Sequence, residues 1–379
     1  MSKIYNPYQS KKPAAGSAFV GREEEVRTIG SYDHNAFVVV GFPRFGKTSL
    51  LSAVERKIKG REGEDVLNIG FSGMNEKDFL DSLKDSSCGI DDQASKVLEG
   101  KTKLYPALQV LNDHYASLDH QCYILADETR DLFLPNNKVD VGIVQQFRNS
   151  HNFTNLTFVY ALFPQVYDAM HQETTSRFSS TVTLLPLSPL SKGAVDELAY
   201  LCSDEDKMSQ SAKAYGVRGR EFKKFRWLDT PRDELMDITG GFAFLTQELL
   251  KHVIDDKIEE GSQDISFDDI SRVYPEFAES QTKEIGHLWR ALTPIQKRMV
   301  KKSLEGDYSR EELFTDIGSI ELSEVDTQGF PDQRLDMVGL HGAYDPLSDE
   351  GLGILTKVDD RVQVRGKVLR ETFKTILSY

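Results

Sequence analysis

Residues 41–48 read Gly-Phe-Pro-Arg-Phe-Gly-Lys-Thr, and they meet the spacing G-x-x-x-x-G-K-[ST] at every fixed position. This run constrains the fold because its chemistry needs both flanks. A buried strand must deliver the chain to the loop, and a helix must begin as the loop closes. The glycines let backbone N–H groups curl round a phosphate, and the helix points its positive end at the same anion. Lys47 is then placed for the β- and γ-phosphates, and the Thr48 hydroxyl for a magnesium position. Both flanks are present: residues 36–40 are Ala-Phe-Val-Val-Val, and residues 49–54 carry a helical pattern. Gly41, Pro43, Arg44, Phe45, Gly46, Lys47, Thr48 and Ser49 are therefore candidate contacts for ATP, with Lys47 also a candidate catalytic group.

Further apolar runs lie at 66–71, 122–126, 156–162 and 181–187, with helical patterns between them, as at 48–58 and 141–149. The runs are near-continuous in apolar character, as strands buried on both faces are. Strand and helix in alternation predict a parallel, three-layer α/β sheet of the P-loop NTPase type. The run at 122–126 ends in Asp127 and Glu128. Two carboxylates leaving a buried strand beside a phosphate loop suit magnesium binding by Asp127, through water, and activation of an attacking water by Glu128. The plainer alternative is a strand that merely surfaces at two acids.

After Ser188 the strands stop. Residues 191–202 and 242–254 carry amphipathic helical patterns, with a polar, basic stretch at 203–233 between them. Gly-Ser-Gln-Asp at 261–264 breaks the chain again. Apolar stripes then run through Ile285, Leu288, Trp289 and Leu292, and through Ile295, Met299 and Val300. Asp359-Asp360 is expected to turn a β-hairpin within 354–364 whose 361–365 arm has one wet face. Helices followed by a hairpin describe a winged-helix domain, and the polar stretch between Thr315 and Asp349 is read as a loop. The expected organisation is an N-terminal extension (1–20), an ATPase core (21–190), a helical lid (191–260) and a winged helix (261–379).

Basic residues cluster at Arg218, Arg220, Lys223, Lys224 and Arg226, interleaved with Phe222, Phe225 and Trp227. Such a patch can grip phosphates and stack bases, or it can be a solvated face whose aromatics belong to a core. Lys297, Arg298, Lys301 and Lys302 pose the same choice. With 60 acidic against 46 basic residues the net charge is −14, which argues against coating nucleic acid along the whole surface. No apolar run reaches membrane-spanning length, the N-terminus lacks a secretory stretch, and the three cysteines are widely spaced. Together these predict a cytoplasmic protein without a membrane partner.

Phe19-Val-Gly-Arg-Glu-Glu-Glu-Val26, the phosphate loop, the acidic pair, Leu184-Leu-Pro-Leu-Ser-Pro-Leu-Ser191 and Thr239-Gly-Gly-Phe-Ala-Phe-Leu-Thr-Gln247 follow one another in a recognisable order. Together they resemble the STAND ATPases of the AAA+ class, close to initiator-like and AAA-like ATPases. The resemblance implies that Val20, Gly21 and Arg22 lie at the adenine, that the lid closes on the nucleotide, and that a winged helix follows. It also implies a role for Arg177, in the loop before the fifth strand, at a neighbouring subunit's γ-phosphate. The alternative is a surface arginine. Two departures stand out: Gly240-Gly-Phe-Ala243 lacks the lid proline, and the strand at 156–162 ends in Ala-Leu-Phe163 without a polar sensor. The resemblance implies a slowly hydrolysing ATP switch that controls an effector protein in trans or an ATP-dependent homo-oligomer, in a bacterial or phage conflict (defence) setting. The alternative is a DNA-handling ATPase of initiator or transposition-regulator type, touching nucleic acid through the winged helix or the 218–226 patch.

Overall fold

The computed structural model describes residues 4–31, 33–70, 75–173, 178–318, 344–349 and 351–378. They fall into two compact units. The core unit comprises Arg22–Gly41 and Lys47–Leu187; the second comprises Met1–Gly21, Phe42–Gly46 and Ser188–Tyr379.

In the core unit, strands β1 (Ala36–Val40), β2 (Glu64–Gly70), β3 (Gln121–Asp127), β4 (Leu156–Leu162) and β5 (Thr183–Pro186) form one sheet. Its order is β2-β3-β4-β1-β5, and every pairing is parallel. α1 (Glu23–Ile29) precedes β1, and helices provide the crossovers between strands, beginning with α2 (Lys47–Ile58) after β1. Next come α3 (Glu76–Cys88), α4 (Asp92–Leu98) and α5 (Leu104–Leu118) before β3. α6 (Arg130–Phe133) and α7 (Val141–Ser150) lead to β4, and α8 (Pro164–Glu173) leads away from it. Every residue of β1 and β4 is buried, whereas the edge strands β2 and β5 are partly exposed, so the continuous apolar runs mark the sheet's centre. β5 is shorter than the predicted 181–187. Thr181 belongs to a 3₁₀ turn, and the strand ends at Pro186, which an edge position tolerates.

Behind β4, Phe133, Phe147, Phe158, Tyr160 and Phe178 pack with the ring of His151. His151 is buried, and its ring nitrogens lie 2.8 Å from the Thr181 hydroxyl and 3.0 Å from the Tyr160 hydroxyl. Burial pushes its pKa down to about 3. The folded chain thus refuses a proton that the unfolded chain accepts below pH ~6.5. This site is neutral in effect above that pH and destabilising as pH falls from there towards 3. Between pH 7.5 and 5 the wild type should lose about 2 kcal/mol that His151→Asn does not. Urea midpoints at the two pH values measure this; equal pH slopes would remove the claim.

In the second unit the N-terminal segment is part of the packing. Tyr8 is fully buried and its hydroxyl donates to the carbonyls of Leu198 and Ala199, each at 3.0 Å. Tyr5 packs with Met208 and Ala212. Helices α9 (Lys192–Ala199), α10 (Glu205–Ala214), α11 (Arg232–Thr239), α12 (Ala243–Glu260) and α13 (Phe267–Ala291) follow, with a two-strand parallel ladder of β6 (Arg226–Trp227) and β7 (Asp264–Ile265). The polar, basic stretch at 203–233 contains α10 and β6. Phe225 and Trp227 are buried in this unit. Arg226 pairs with Asp264 at 2.9 Å and Lys224 lies 3.8 Å from Glu205.

Helices α14 (Pro294–Glu305) and α15 (Arg310–Gly318) come next, then hairpin strands β8 (Leu355–Val358) and β9 (Arg361–Val364), then the C-terminal helix Lys367–Leu377. Asp359 and Asp360 both take positive φ, 47° and 64°, as a tight I′-type hairpin turn requires. On β9, Val362 and Val364 are buried while Arg361 is exposed, so one face is wet as expected. Of the stretch read as a loop, 315–318 is helical and 319–343 lies outside the described residues. The hairpin and C-terminal helix meet the α11–α12 turn backbone to backbone. Gly366 has φ 77°, and a Cβ there would stand 2.7 Å from the Gly240 nitrogen.

Candidate nucleotide site

Sheet order builds the site in the core unit. β1 and β3 both flank β4, so the chain leaving β1 and the acids ending β3 emerge at the same C-terminal edge, with the residue after β4 between them. Gly41 continues the ladder, its N–H donating to the Leu162 carbonyl at 3.2 Å. Helix α2 begins at Lys47. The Thr48 hydroxyl donates to Asp127 Oδ2 at 2.6 Å, and the Glu128 N–H donates to Asp127 Oδ1 at 3.0 Å. Lys47, Thr48, Asp127 and Glu128, far apart in sequence, are thus brought together.

The Lys47 ammonium donates to the Gly41 carbonyl at 2.8 Å and lies 4.3 Å from the centre of the Phe163 ring. Burial pushes its pKa down to about 8, against the pull of the Asp127 and Glu128 carboxylates. Phe163 is the contribution that sequence reading missed. The sequence shows a polar sensor absent after β4; the structure shows an aromatic face turned to the lysine. Glu128 is exposed and has φ 54°, a left-handed conformation that costs a non-glycine residue about 1 kcal/mol or more. Thr129 follows it, 1% exposed, with a hydroxyl that has no hydrogen-bond partner among the described residues.

The loop tip, Phe42–Gly46, belongs to the second unit. Gly46 has φ 92°, which only glycine adopts readily, and Arg44 has φ 68°. Pro43 is half-buried and Phe45 is buried, while Arg44 is exposed. Ser49 is half-buried in the first turn of α2. Val20 and Gly21 lie in the second unit, Val20 buried and Gly21 with φ 67° against Ala194. Arg22 opens α1 in the core unit and pairs with Glu25 at 3.0 Å. Arg177 lies outside the described residues.

No protein-family profile matches the chain, and no curated protein matches it. Solved structures do. The Walker-type ATPase PABY2304 of Pyrococcus abyssi superposes with a TM-score of 0.59 at 13% identity, covering 97% of this chain and 100% of that one. The ORC2 protein of Aeropyrum pernix in its ADPNP–ADP complexes gives 0.54 at 14% identity, covering both chains completely. Its ADP form gives 0.50 at 14% identity over 95% of this chain and 94% of that one. The fold is that of the AAA+ P-loop ATPases. No helix among the described residues of this AAA+ fold is long and apolar enough to cross a membrane.

Proposed function

We propose that the chain is an AAA+ switch that binds ATP with magnesium and hydrolyses it slowly. The observation that carries this reading is the 2.6 Å contact between the Thr48 hydroxyl and the Asp127 carboxylate, next to the Lys47 ammonium. Two hard oxygen donors at the end of a phosphate loop suit magnesium, whose bound charge would offset that of the phosphates. Lys47 holds the β- and γ-phosphates by charge, and the α2 N-terminus adds its dipole. Glu128 takes the proton of the attacking water. Phe163 offers no polar group to the γ-phosphate, in keeping with slow turnover. Val20, Gly21 and Arg22 are assigned to the adenine side. The ADPNP–ADP complexes of ORC2, a protein of the same fold, support nucleotide binding.

For the output, the whole-length likeness to ORC2 supports a DNA-handling, initiator-like role, with α14, α15, the β8–β9 hairpin and the C-terminal helix read as a winged helix. A second reading, a STAND-type switch acting on a partner effector protein, draws on charge. The net charge is −14, and Arg226, Lys224, Lys301 and Lys302 each face a carboxylate in the structure. Calorimetric titration with ADPNP and magnesium tests the common part: saturable binding is expected, and its absence in folded protein would refute the proposal. Duplex binding then separates the outputs. An affinity falling steeply with salt supports DNA handling. No binding at low salt, with a protein co-purifying in an ATP-dependent way, supports the effector switch.

A further inference from the structure

Phosphate chemistry uses the backbone of a P-loop tip and leaves its side chains free to serve another purpose. Here they are engaged. The Phe45 ring lies 5.0 Å from that of Phe242, the residue capping α12, and 5.6 Å from that of Phe42. The Arg44 guanidinium lies 5.3 Å from the Phe244 ring, and its Nε is 3.4 Å from the Glu284 carboxylate on α13. All these residues belong to the second unit. The backbone at Arg44 is left-handed, a conformation that persists when surrounding contacts determine it. We infer that Arg44 and Phe45 are coupling residues. They dock the loop tip on α12 and α13, and phosphate binding releases it.

The direction follows from Lys47. Its ammonium is held by the Gly41 carbonyl inside the loop, and phosphates compete for that ammonium, so their binding reshapes the tip. Contacts that hold the docked tip oppose this change. Linkage then requires both that nucleotide loosens the tip's grip on α12 and α13 and that weaker docking tightens nucleotide binding. The signal has a route onward in the same unit. On α13, Tyr274 bonds to Glu371 and lies under Lys367, 4.3 Å from its ammonium. Trp289 of α13 lies 5.2 Å from Phe373, ring to ring. Loop occupancy thereby reaches the C-terminal helix and, through Gly366, the hairpin.

The inference rests on the nucleotide reading above, and one experiment separates their failures. Hydrogen exchange at 243–260 and 267–291 is followed in the full chain with and without ADPNP and magnesium, beside calorimetric affinities. Wild type should bind and show faster exchange in both segments. Phe242→Ala and Glu284→Ala should bind about three- to tenfold more tightly and lose most of that response. Glu284 is a surface group, so its variant keeps the test open if Phe242→Ala does not fold. A double variant, Arg44→Glu with Glu284→Arg, should recover the response. Unchanged or weaker binding by the single variants, or a response like that of wild type, overturns the inference alone. A wild type that binds no nucleotide overturns the function and the inference together.

Discussion

Glu128→Gln should bind ATP as wild type does and lose hydrolysis by about a hundredfold or more, the usual scale for removing a general base. The substitution keeps shape and removes only the ability to take a proton. Binding should survive because the Thr48–Asp127 contact does not involve the Glu128 side chain, and the Glu128 N–H that donates to Asp127 is retained. Phosphate release at saturating ATP gives the rate, and titration with ADPNP gives the affinity. Turnover within threefold of wild type would reduce Glu128 to a carboxylate at a strand's end. Backbone geometry supplies a second arm. With φ 54°, Glu128 sits where glycine is at ease and glutamate is strained. Glu128→Gly should be as inactive as Glu128→Gln while melting at a slightly higher temperature. A side chain kept at a strained position for its chemistry predicts that pairing of lost activity with gained stability. A residue placed only for packing predicts loss of both.

What the sequence made legible divides along physical lines. The central strands were plain because burial on both faces imposes unbroken apolar runs, as in β1 and β4. The G-x-x-x-x-G-K-[ST] run and the acid pair were plain because each is a short, fixed pattern beside a buried strand. Edges and polar helices were not. α10, Glu205–Ala214, reads as a polar stretch because it buries only Met208, Ser211 and Ala212. α13 starts at Phe267, well before the stripe at Ile285, and runs through Pro275, a residue that usually signals a break. The N-terminal tyrosines gave no periodic pattern, since they insert singly between helices and do not line a face. At the site, the family resemblance implied a polar sensor after β4, where the sequence reads Ala161-Leu-Phe163. Only distance showed that Phe163 and Lys47 are neighbours. The engagement of Arg44 and Phe45 was equally invisible, because the motif leaves those positions unrestricted.

Lys47→Ala should weaken ATP binding by at least about a hundredfold, since charge-assisted contacts to two phosphates are worth about 3 kcal/mol or more together. No other side chain of the loop replaces it. Arg44 is engaged with Glu284 and Phe244, and Pro43 and Phe45 carry no charge. Truncation also leaves the Gly41 carbonyl without the ammonium donor and uncovers one face of Phe163, so the melting temperature must accompany the titration. A folded variant with unchanged affinity would remove the phosphate-loop reading altogether. The same variant tests assembly. We propose that Arg177 reaches a neighbour's γ-phosphate in an ATP-dependent homo-oligomer, as a permanently charged guanidinium suits developing phosphoryl charge. Arg177→Ala should then bind ATP but neither turn it over nor grow in mass with ADPNP by mass photometry. Mixed with Lys47→Ala, it should regain part of the activity. The first variant supplies an intact loop and the second an intact arginine, and the two meet only across an interface. A chain that hydrolyses as a monomer predicts no recovery in the mixture, and Arg177 then acts at most within its own subunit.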